Sequence, residues 1–519
     1  MSYQYDQKVE NYTYVYEITS YWDKEKKQSR QKRKFLGRRD SISGKIIDTK
    51  IEEKNMPVKS YDYGNIFFLK EISKQMGIIE ELEKIIPDLA KEIMVLVYYT
   101  LSESEAYYLT EKWCEYNYTG ISSKIFASQR LSEIFYTLGS SIDKRIEFFK
   151  NWIKKQKGIH TIYYDISSIS TYAKWLDLAE WGYNRDNEQL RQINIGVVYG
   201  VESQTPLYYQ LYSGSISDVK TLVNIKKYNN EFGIKDVIYV LDTGFYSQSN
   251  INELKGERVV IPLSLTTTIA QDLLKKYGGE LNESKHLFTL NEKLYTSIKN
   301  PDGIVNKFNQ EYDIYLFRNK QMYNDGETYI YKILLAIEEK INSSKYNSEE
   351  LLTEAIEDIA IGYSKYFKIV KNDSIYLIER DTSIIEEQIK KYGTFFLLSN
   401  VKDSTKSDIL LVYKRKDSIE KIFDCMKNDI DRERLRVHTS GRAEGVIFVT
   451  YIALIIAAHM EKIIRANKDL KNYTKKEIIY ELKKLKITEF ANGLKIVNVL
   501  SRKIKTIFKA FSINYSGLN

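Results

Sequence analysis

The pattern of apolar and polar residues divides the 519-residue chain into stretches of different character. Near the N-terminus, residues 12–21 have the composition of a strand and lead into a polar hairpin, which predicts a small β unit over residues 1–60. Residues 61–158 instead place apolar side chains at helical spacing, often after a Ser or Asp that can start a helix. A helical region is therefore expected there.

After residue 158 the pattern changes to short strands separated by helices. Strands are predicted at 161–165, 192–199, 206–212, 237–242 and 258–262, with helices at 217–232 and 248–254. This order implies an α/β fold, a mixed sheet with flanking helices. The predicted regions are 1–60, 61–158, a core in two parts at 159–265 and 391–465, an insertion at 266–390, and a helical C-terminal region at 466–519.

The insertion is expected because residues 266–390 break the rhythm of the core. Strand-like runs there, such as residues 313–317 and 328–336, alternate with charged helical stretches. A strand at 395–398 then resumes the sheet. The most apolar run of the chain, residues 445–460, is shorter than the about 20 residues that a membrane span needs. It predicts a buried helix, and no membrane association is expected.

Few residues can form disulfides or zinc sites in this chain. It has two cysteines, Cys114 and Cys425, and four scattered histidines. We expect a reducing, cytoplasmic environment and no signal peptide at the polar N-terminus. Any metal would be held by carboxylates, which favours Mg²⁺ or Mn²⁺. The net charge of +8 permits contact with nucleic acid.

Positive charge is concentrated in the N-terminal hairpin. The basic residues are Lys24, Lys26, Lys27, Arg30, Lys32, Arg33, Lys34, Arg38 and Arg39, with Glu25 the only acid among them. One interpretation is a solvated hairpin tip. The alternative, favoured by the density of charge, is a ribbon that contacts nucleic-acid phosphates.

Two acids end predicted strands of the core. Asp165 follows an apolar run that starts at Thr161, and Asp242 follows another that starts at Val237. Ligands of open α/β sheets bind at the carboxyl ends of the strands, so both side chains are candidates for a cleft. Taken alone, either Asp is more typical of a turn that ends a strand than of a functional site.

A third acid lies in a predicted helix at residues 413–427. Four polar residues recur there at helical spacing: Tyr413, Lys416, Glu420 and Lys427. At about 100° per residue they share a strip roughly 60° wide. The apolar residues that predict a packed neighbouring face are Val412, Ile419, Ile422, Phe423 and Met426. An ordinary amphipathic helix with i,i+4 charge pairs would show the same spacing.

Three acids brought together by a fold would repel one another unless cations neutralised them. Two Mg²⁺ ions held by such acids can activate a water or a 3′-hydroxyl and stabilise the leaving oxygen of an in-line displacement at phosphorus. Together, Asp165, Asp242 and Glu420 therefore favour a phosphoryl-transfer site over an ordinary charged helix.

With these residues the sequence resembles the DDE transposases of bacterial insertion sequences, in the group marked by a Tyr-x2-Arg-x3-Glu-x6-Lys signature. Lys416 stands at the Arg position, next to Arg415. Similar blocks occur at residues 182–186, near Gly214, at 241–245, at 393–400 and at 435–437, before Gly445 and the apolar helix. The resemblance covers most of residues 60–500.

The resemblance implies an RNase H-like catalytic core interrupted by a mostly β insertion. It implies that Asp165, Asp242 and Glu420 bind two Mg²⁺ or Mn²⁺ ions. It also implies that phosphates are contacted by Tyr413, Lys416, Lys427 and Arg415. The partners would be double-stranded DNA, namely the terminal inverted repeats and the target, bound by a homodimer on paired ends and associated with the bacterial nucleoid. The hairpin and the helical region would recognise the ends, and residues 466–519 would assist assembly.

Three other interpretations compete with a transposase. The same core could belong to an RNase H-like nuclease of another kind, although the insertion and the signature helix weigh against this. A non-catalytic, DNA-binding relic of a transposase would not need all three acids. A carboxylate-rich structural or protein-binding module would explain the composition but not the order of the acids.

Overall fold

The computed structural model describes residues 2–9, 12–48, 56–103, 105–173, 175–182, 189–216, 218–307, 310–430 and 434–518. The chain forms two compact units, one of residues 1–134 with 460–519 and one of residues 135–459. Most of the block predicted at residues 182–186 lies outside the described residues, which include only Gly182 of it.

The N-terminal strands form an antiparallel sheet. They are β1 (Ser2–Val9), β2 (Tyr12–Asp23), β3 (Gln28–Arg39) and β4 (Ile46–Ile47), paired in that order. The strand predicted at residues 12–21 is confirmed. Val15 and Ile18 are buried, whereas the outer half of β3 is exposed. The sheet therefore presents a wide solvated surface beyond a small apolar centre.

One strand and five helices follow. They are β5 (Pro57–Asp62), α1 (Gly64–Gln75), α2 (Ile78–Ile85), α3 (Ala90–Glu103), α4 (Thr110–Tyr116) and α5 (Ser128–Ser140). The helical character predicted for this region is confirmed. Gly77 has a φ of 68° between α1 and α2. Glycine adopts this left-handed conformation without a steric penalty, so α2 can begin directly after α1 ends.

The second unit is built on a large mixed sheet. Its first elements are α6 (Ile142–Lys155), β6 (Thr161–Thr171), β7 (Arg191–Gly200), β8 (Thr205–Ser213), α7 (Asp218–Phe232), β9 (Ile238–Val240), α8 (Gln248–Glu253) and β10 (Arg258–Leu263). Strands β6, β7 and β8 are antiparallel neighbours, β9 lies parallel on the other side of β6, and β10 lies parallel to β9. This is the mixed sheet with flanking helices that the sequence predicted.

The insertion is mixed rather than mostly β, which corrects the prediction. Its elements are α9 (Thr268–Tyr277), β11 (Leu287–Leu290), β12 (Lys293–Lys299), β13 (Val305–Lys307), β14 (Gln310–Asn319), α10 (Lys320–Asn342), α11 (Glu349–Ile359), β15 (Phe367–Asn372), β16 (Ile375–Arg380) and α12 (Thr382–Lys391). The strand predicted at 328–336 is wrong, because those residues lie within α10. Ile330, Leu334 and Ile341 are buried at helical spacing there, and this packing overrides the β propensity of the neighbouring tyrosines.

The main sheet is completed by the last part of the core. This part contains β17 (Thr394–Ser399), α13 (Lys406–Lys414), α14 (Asp417–Asp424) and α15 (Ser440–Ala466). Strand β17 lies between β10 and β14 and is antiparallel to both, so β14, β12 and β11 extend the sheet beyond the core. Helix α15 is the one described helix long and apolar enough to cross a membrane, yet 89% of its most apolar stretch is buried. The predicted buried helix is confirmed.

The C-terminal region is also mixed. It contains α16 (Lys475–Leu482), β18 (Lys486–Phe490), β19 (Lys495–Val497) and α17 (Arg502–Ala510). Strand β18 pairs with both β19 and β5. The helical prediction for residues 466–519 is therefore corrected. Pairing with β5 and β19 holds β18 in the strand conformation, and Gly493, with a φ of 81°, turns the chain into β19.

Candidate active site

Two of the predicted acids lie side by side in the main sheet. The parallel ladder pairs Tyr163 of β6 with Val240 of β9, and two residues further along each chain are Asp165 and Asp242. Asp165 is buried at 4% exposure and Asp242 is partly exposed. Because the chain leaves β9 just before Asp242, the two carboxylates lie where the parallel pairing ends.

Asp165 does not end its strand, which corrects the sequence interpretation. Strand β6 continues to Thr171 because its second half pairs with β7. The carboxylate nevertheless lies past the last residue paired with β9, so the neighbouring strand leaves room beside it. Backbone amides orient both acids: Ile166 N donates to Asp165 Oδ1 over 2.9 Å, and Thr243 N donates to Asp242 Oδ1 over 2.7 Å.

Lys416 connects Asp242, which follows β9, to Glu420 of α14. Its ammonium lies 2.9 Å from Asp242 Oδ1 and 3.2 Å from Glu420 Oε1. Lys416 is buried at 8% exposure, whereas the Glu420 side chain is 57% exposed. One buried cation thus lies between carboxylates from two segments that are far apart in the sequence.

The carboxylates keep this ammonium charged. Burial alone would lower the pKa of Lys416, but the hydrogen bond to Asp242 and its negative charge act in the opposite direction. Asp165 and Glu420 add further negative charge, and together the acids raise the pKa of Lys416 to about 12. All three predicted acids therefore act on the same ammonium group.

The helix that carries Glu420 is not continuous, contrary to the prediction for residues 413–427. Helix α13 ends at Lys414 and α14 begins at Asp417. The junction is tightened by i−3 bonds, in which Lys416 N donates to Tyr413 O over 3.0 Å. A π-helical turn at Cys425–Asp429 then follows α14. Both irregularities invalidate an angular prediction made for one ideal helix.

The tightened junction decides which of the two neighbouring basic residues faces the acids. Arg415 is exposed, whereas Lys416 is buried among the carboxylates. The lysine therefore occupies the place that the signature assigns to arginine. The predicted packed face is confirmed below this junction, because Ile419, Ile422 and Met426 are buried.

The other two signature residues lie in different surroundings. Tyr413 is partly exposed and stacks on Phe395, with ring centroids 6.1 Å apart. Burial raises the pKa of the Tyr413 phenol, and the positive charge of Lys416 opposes that rise. Tyr413 therefore lies within electrostatic reach of the site. Lys427 lies in the π-helical turn and is partly exposed.

Tyr163, which connects α13 to the sheet just before the helix junction, was not predicted from the sequence. The Tyr163 hydroxyl donates a hydrogen bond to the carbonyl oxygen of Val412 in α13. Tyr163 stands two residues before Asp165, so both side chains project from the same face of β6. This period of two was a signal in the sequence that could have identified Tyr163 as a neighbour of the site.

The donor atoms of the site suit a hard divalent cation, but the acids are not assembled around one. Among the residues that the structure describes, no three His, Cys, Asp or Glu side chains are grouped closely enough to hold a metal ion. The positive charge between Asp242 and Glu420 is the Lys416 ammonium. Carboxylate oxygens are the ligands that Mg²⁺ and Mn²⁺ prefer, so the residues fit these ions by type.

The basic residues predicted in the hairpin form a separate surface with two kinds of side chain. The four arginines have partners: Arg30 lies 3.4 Å from Asp23, Arg39 binds Asp6 over 2.8 and 3.0 Å, and aromatic rings contact Arg33 and Arg38. The five lysines are exposed: Lys24, Lys26, Lys27, Lys32 and Lys34. In β3, Lys32 and Lys34 share one face because side chains alternate along a strand.

Comparison with known proteins identifies the family of this chain. A family model described as the transposase DDE domain matches residues 160–456, more than half of the chain. A cryo-EM structure of the piggyBac transposase synaptic complex with hairpin DNA is 10% identical, with a TM-score of 0.37 over 82% of this chain and 76% of that chain. The Mos1 transposase paired-end complex with the left transposon end is 14% identical, with a TM-score of 0.15 over 30% of this chain and 54% of that one. No curated protein sequence matches. The extent of the family match shows that the chain belongs to the DDE transposases, enzymes that cut and join polynucleotides.

Proposed function

We propose that this transposase cleaves the ends of its element and joins them to target DNA at one site formed by Asp165, Asp242 and Glu420. The observation that carries the proposal is the position of the Lys416 ammonium, which lies 2.9 Å from Asp242 and 3.2 Å from Glu420. The negative charge of Asp165 also helps to raise the pKa of Lys416. Acids from three distant segments act on one point, as a shared phosphoryl-transfer site requires.

The three acids differ in the support they receive from the fold. Asp165 projects from β6 and Asp242 follows the adjacent strand β9, and each accepts a hydrogen bond from the next backbone amide, which fixes its orientation. Glu420 is the more exposed acid, on a helix packed through its apolar face. Two Mg²⁺ or Mn²⁺ ions bound by these carboxylates would activate the attacking oxygen and stabilise the leaving one.

The basic side chains of the same unit would hold the scissile strand. Lys416, Lys427 and Tyr413 are the proposed phosphate contacts near the reacting bond. Arg415 is exposed beside Lys416, so it would contact the DNA backbone rather than the acids. Each of these contacts would position the phosphate without reading the sequence of bases.

The N-terminal sheet would supply further affinity for DNA. Its exposed lysines present positive charge that can neutralise phosphates and release counterions. Double-stranded DNA is the proposed partner, in the form of the terminal inverted repeats and the target. A homodimer on paired ends, an insertion-sequence origin and association with the nucleoid remain predictions from the sequence.

The proposal is tested with a supercoiled plasmid that carries the gene and its flanking DNA. Purified protein with Mg²⁺ or Mn²⁺ should cut at the ends of the element, mapped by sequencing the new termini. The substitutions Asp165→Asn, Asp242→Asn and Glu420→Gln should each remove cleavage, whereas Glu357→Gln, an exposed acid of α11, should not. Retained cleavage in one of the three variants would remove that acid from the site. Cutting at unrelated positions would indicate an RNase H-like nuclease of another kind. Binding of the DNA without cleavage would indicate a non-catalytic relic of a transposase.

A further inference from the structure

Lys416 occupies an unusual position for a lysine. It is 8% exposed, at the start of α14, and its ammonium lies between two carboxylates. Lysine is rarely buried unless it is paired, because removing the charge from water is costly. Here the paired groups are acids proposed for catalysis, so the lysine has a consequence for the site as well as for the fold.

The ammonium gives the acids a cation of their own. Without Lys416, the carboxylates of Asp242 and Glu420 would face each other with Asp165 close behind, and like charges in a partly buried place destabilise the folded state. The lysine offsets that repulsion. It also places the Glu420 helix next to the strand that leads to Asp242.

A divalent cation bound by Asp242 and Glu420 would need the same two carboxylates that now hold the ammonium. Two cations at one pair of carboxylates repel each other, so a bound ion would weaken the hold of these acids on Lys416. The four-carbon stem of lysine is flexible and its ammonium makes no two-pronged contact, so Lys416 can move away while its backbone stays in the junction.

We propose that Lys416 is an internal placeholder cation, which holds Asp242 and Glu420 together in the metal-free protein and leaves them for a DNA phosphate when a divalent ion binds. This inference rests on the proposed function of the three acids. It assigns one side chain to two successive partners. Metal binding and phosphate contact are then coupled, and by linkage each must strengthen the other by the same factor.

The test compares Mn²⁺ binding to the full-length protein by calorimetry and electron paramagnetic resonance. Lys416→Gln removes the competing charge, so its Mn²⁺ affinity should rise roughly tenfold, within the range of ordinary coupling. The control is Lys421→Gln, an exposed lysine of the same helix, which should bind Mn²⁺ as the wild type does.

Thermal unfolding separates this role from simple packing. The metal-free Lys416→Gln protein should melt at least about 2–4 °C below the wild type, and saturating Mn²⁺ should remove that difference. A packing role would leave the difference unchanged by Mn²⁺. In the wild type, Mn²⁺ should tighten the binding of a short DNA duplex, and this gain should be smaller in Lys416→Gln.

Lys416→Arg tests the inference if Lys416→Gln does not fold. A guanidinium can hold two carboxylates in a fixed fork, so this variant should bind Mn²⁺ more weakly than the wild type. Equal Mn²⁺ affinity in the wild type and the variant tested would overturn the placeholder role alone. If neither the wild type nor Lys416→Gln bound Mn²⁺, the proposed metal site would be wrong. The proposed replacement of the Lys416 ammonium by a divalent ion would then also be wrong.

Discussion

The transposase has one buried lysine at the candidate site and a group of exposed lysines in its N-terminal hairpin. Lys416 is buried and lies within 3.2 Å of two carboxylates in the second unit. The lysines of the N-terminal hairpin, such as Lys32 and Lys34, are exposed on a solvated sheet. The buried ammonium of Lys416 interacts with particular carboxylates at particular distances. The exposed ammonium groups would attract DNA phosphates through their summed charge, without fixed geometry.

Because their surroundings differ, the buried lysine and the exposed lysines should respond differently to substitution. Replacing a buried, partnered charge leaves its partners unsatisfied, so one substitution has a large effect. Replacing one exposed lysine removes a fraction of a shared attraction and has a small effect that adds to the others. The acid site should therefore govern the chemistry, and the hairpin should govern salt-dependent affinity for DNA.

The largest expected effect is the loss of cleavage in the acid variants. Asp242→Asn should lower the single-turnover rate of cleavage by about 10³-fold or more, as expected for a group that acts as part of one catalytic unit. Its affinity for a DNA duplex, measured by fluorescence anisotropy without metal, should not fall, because the hairpin is intact. A parallel loss of DNA binding would show that the two regions do not divide the work in this way.

The next largest effect on cleavage is expected from substitutions of Lys416. At saturating Mg²⁺, Lys416→Gln should reduce the cleavage rate by roughly 10–100-fold, the loss expected when one charged hydrogen bond to the scissile phosphate is removed. Lys416→Arg should keep or improve cleavage because arginine makes the two-pronged phosphate contact of the signature. Complete loss in Lys416→Arg, measured in the same assay, would mean that Lys416 does not occupy the phosphate-contacting position.

A smaller effect is expected from the exposed lysines. The double variant Lys32→Gln with Lys34→Gln should bind a DNA duplex roughly 3–10-fold more weakly at low salt, and the slope of log affinity against log salt should fall by about 2. Lys340→Gln with Lys345→Gln removes two exposed lysines of the insertion and serves as the control. Equal losses in both pairs would assign the affinity to overall charge rather than to the hairpin.

The smallest expected effect is a pH dependence of stability. The acids raise the pKa of Lys416 from 10.5 to about 12 in the folded protein. Its stabilising contribution is therefore fully present below pH 10.5 and is lost as the pH rises toward 12. The difference in melting temperature between metal-free wild type and Lys416→Gln should be constant up to about pH 10 and shrink above it. A difference that is independent of pH would point to packing by the lysine stem.

The strands and their acids were predictable because the signals are local. Apolar runs before Asp165 and Asp242 give the strands directly, and a parallel ladder brings the two acids to one place. Helix α1 was predictable from its apolar spacing and α15 from its long apolar run, for the same reason. The exact extent of β6 was not, since its second half is a strand only because β7 pairs with it.

The arrangement around Lys416 depends on contacts that a linear pattern does not contain. The predicted strip assumed one straight helix, whereas the chain tightens at Arg415 and Lys416 and loosens after Asp424. The hydrogen bond from Tyr163 to Val412 joins segments far apart in the sequence. Spacing therefore pointed to residues that the fold brings together, but only the fold shows that the lysine faces the acids.

Anomalous diffraction from crystals grown with Mn²⁺ tests directly whether the three acids form a metal site. We predict an anomalous peak at Asp242 and Glu420, close to Asp165, with the Lys416 ammonium displaced from both of its carboxylate partners. No peak at these acids, in crystals of protein that cleaves DNA with Mn²⁺, would contradict the assignment of the active site.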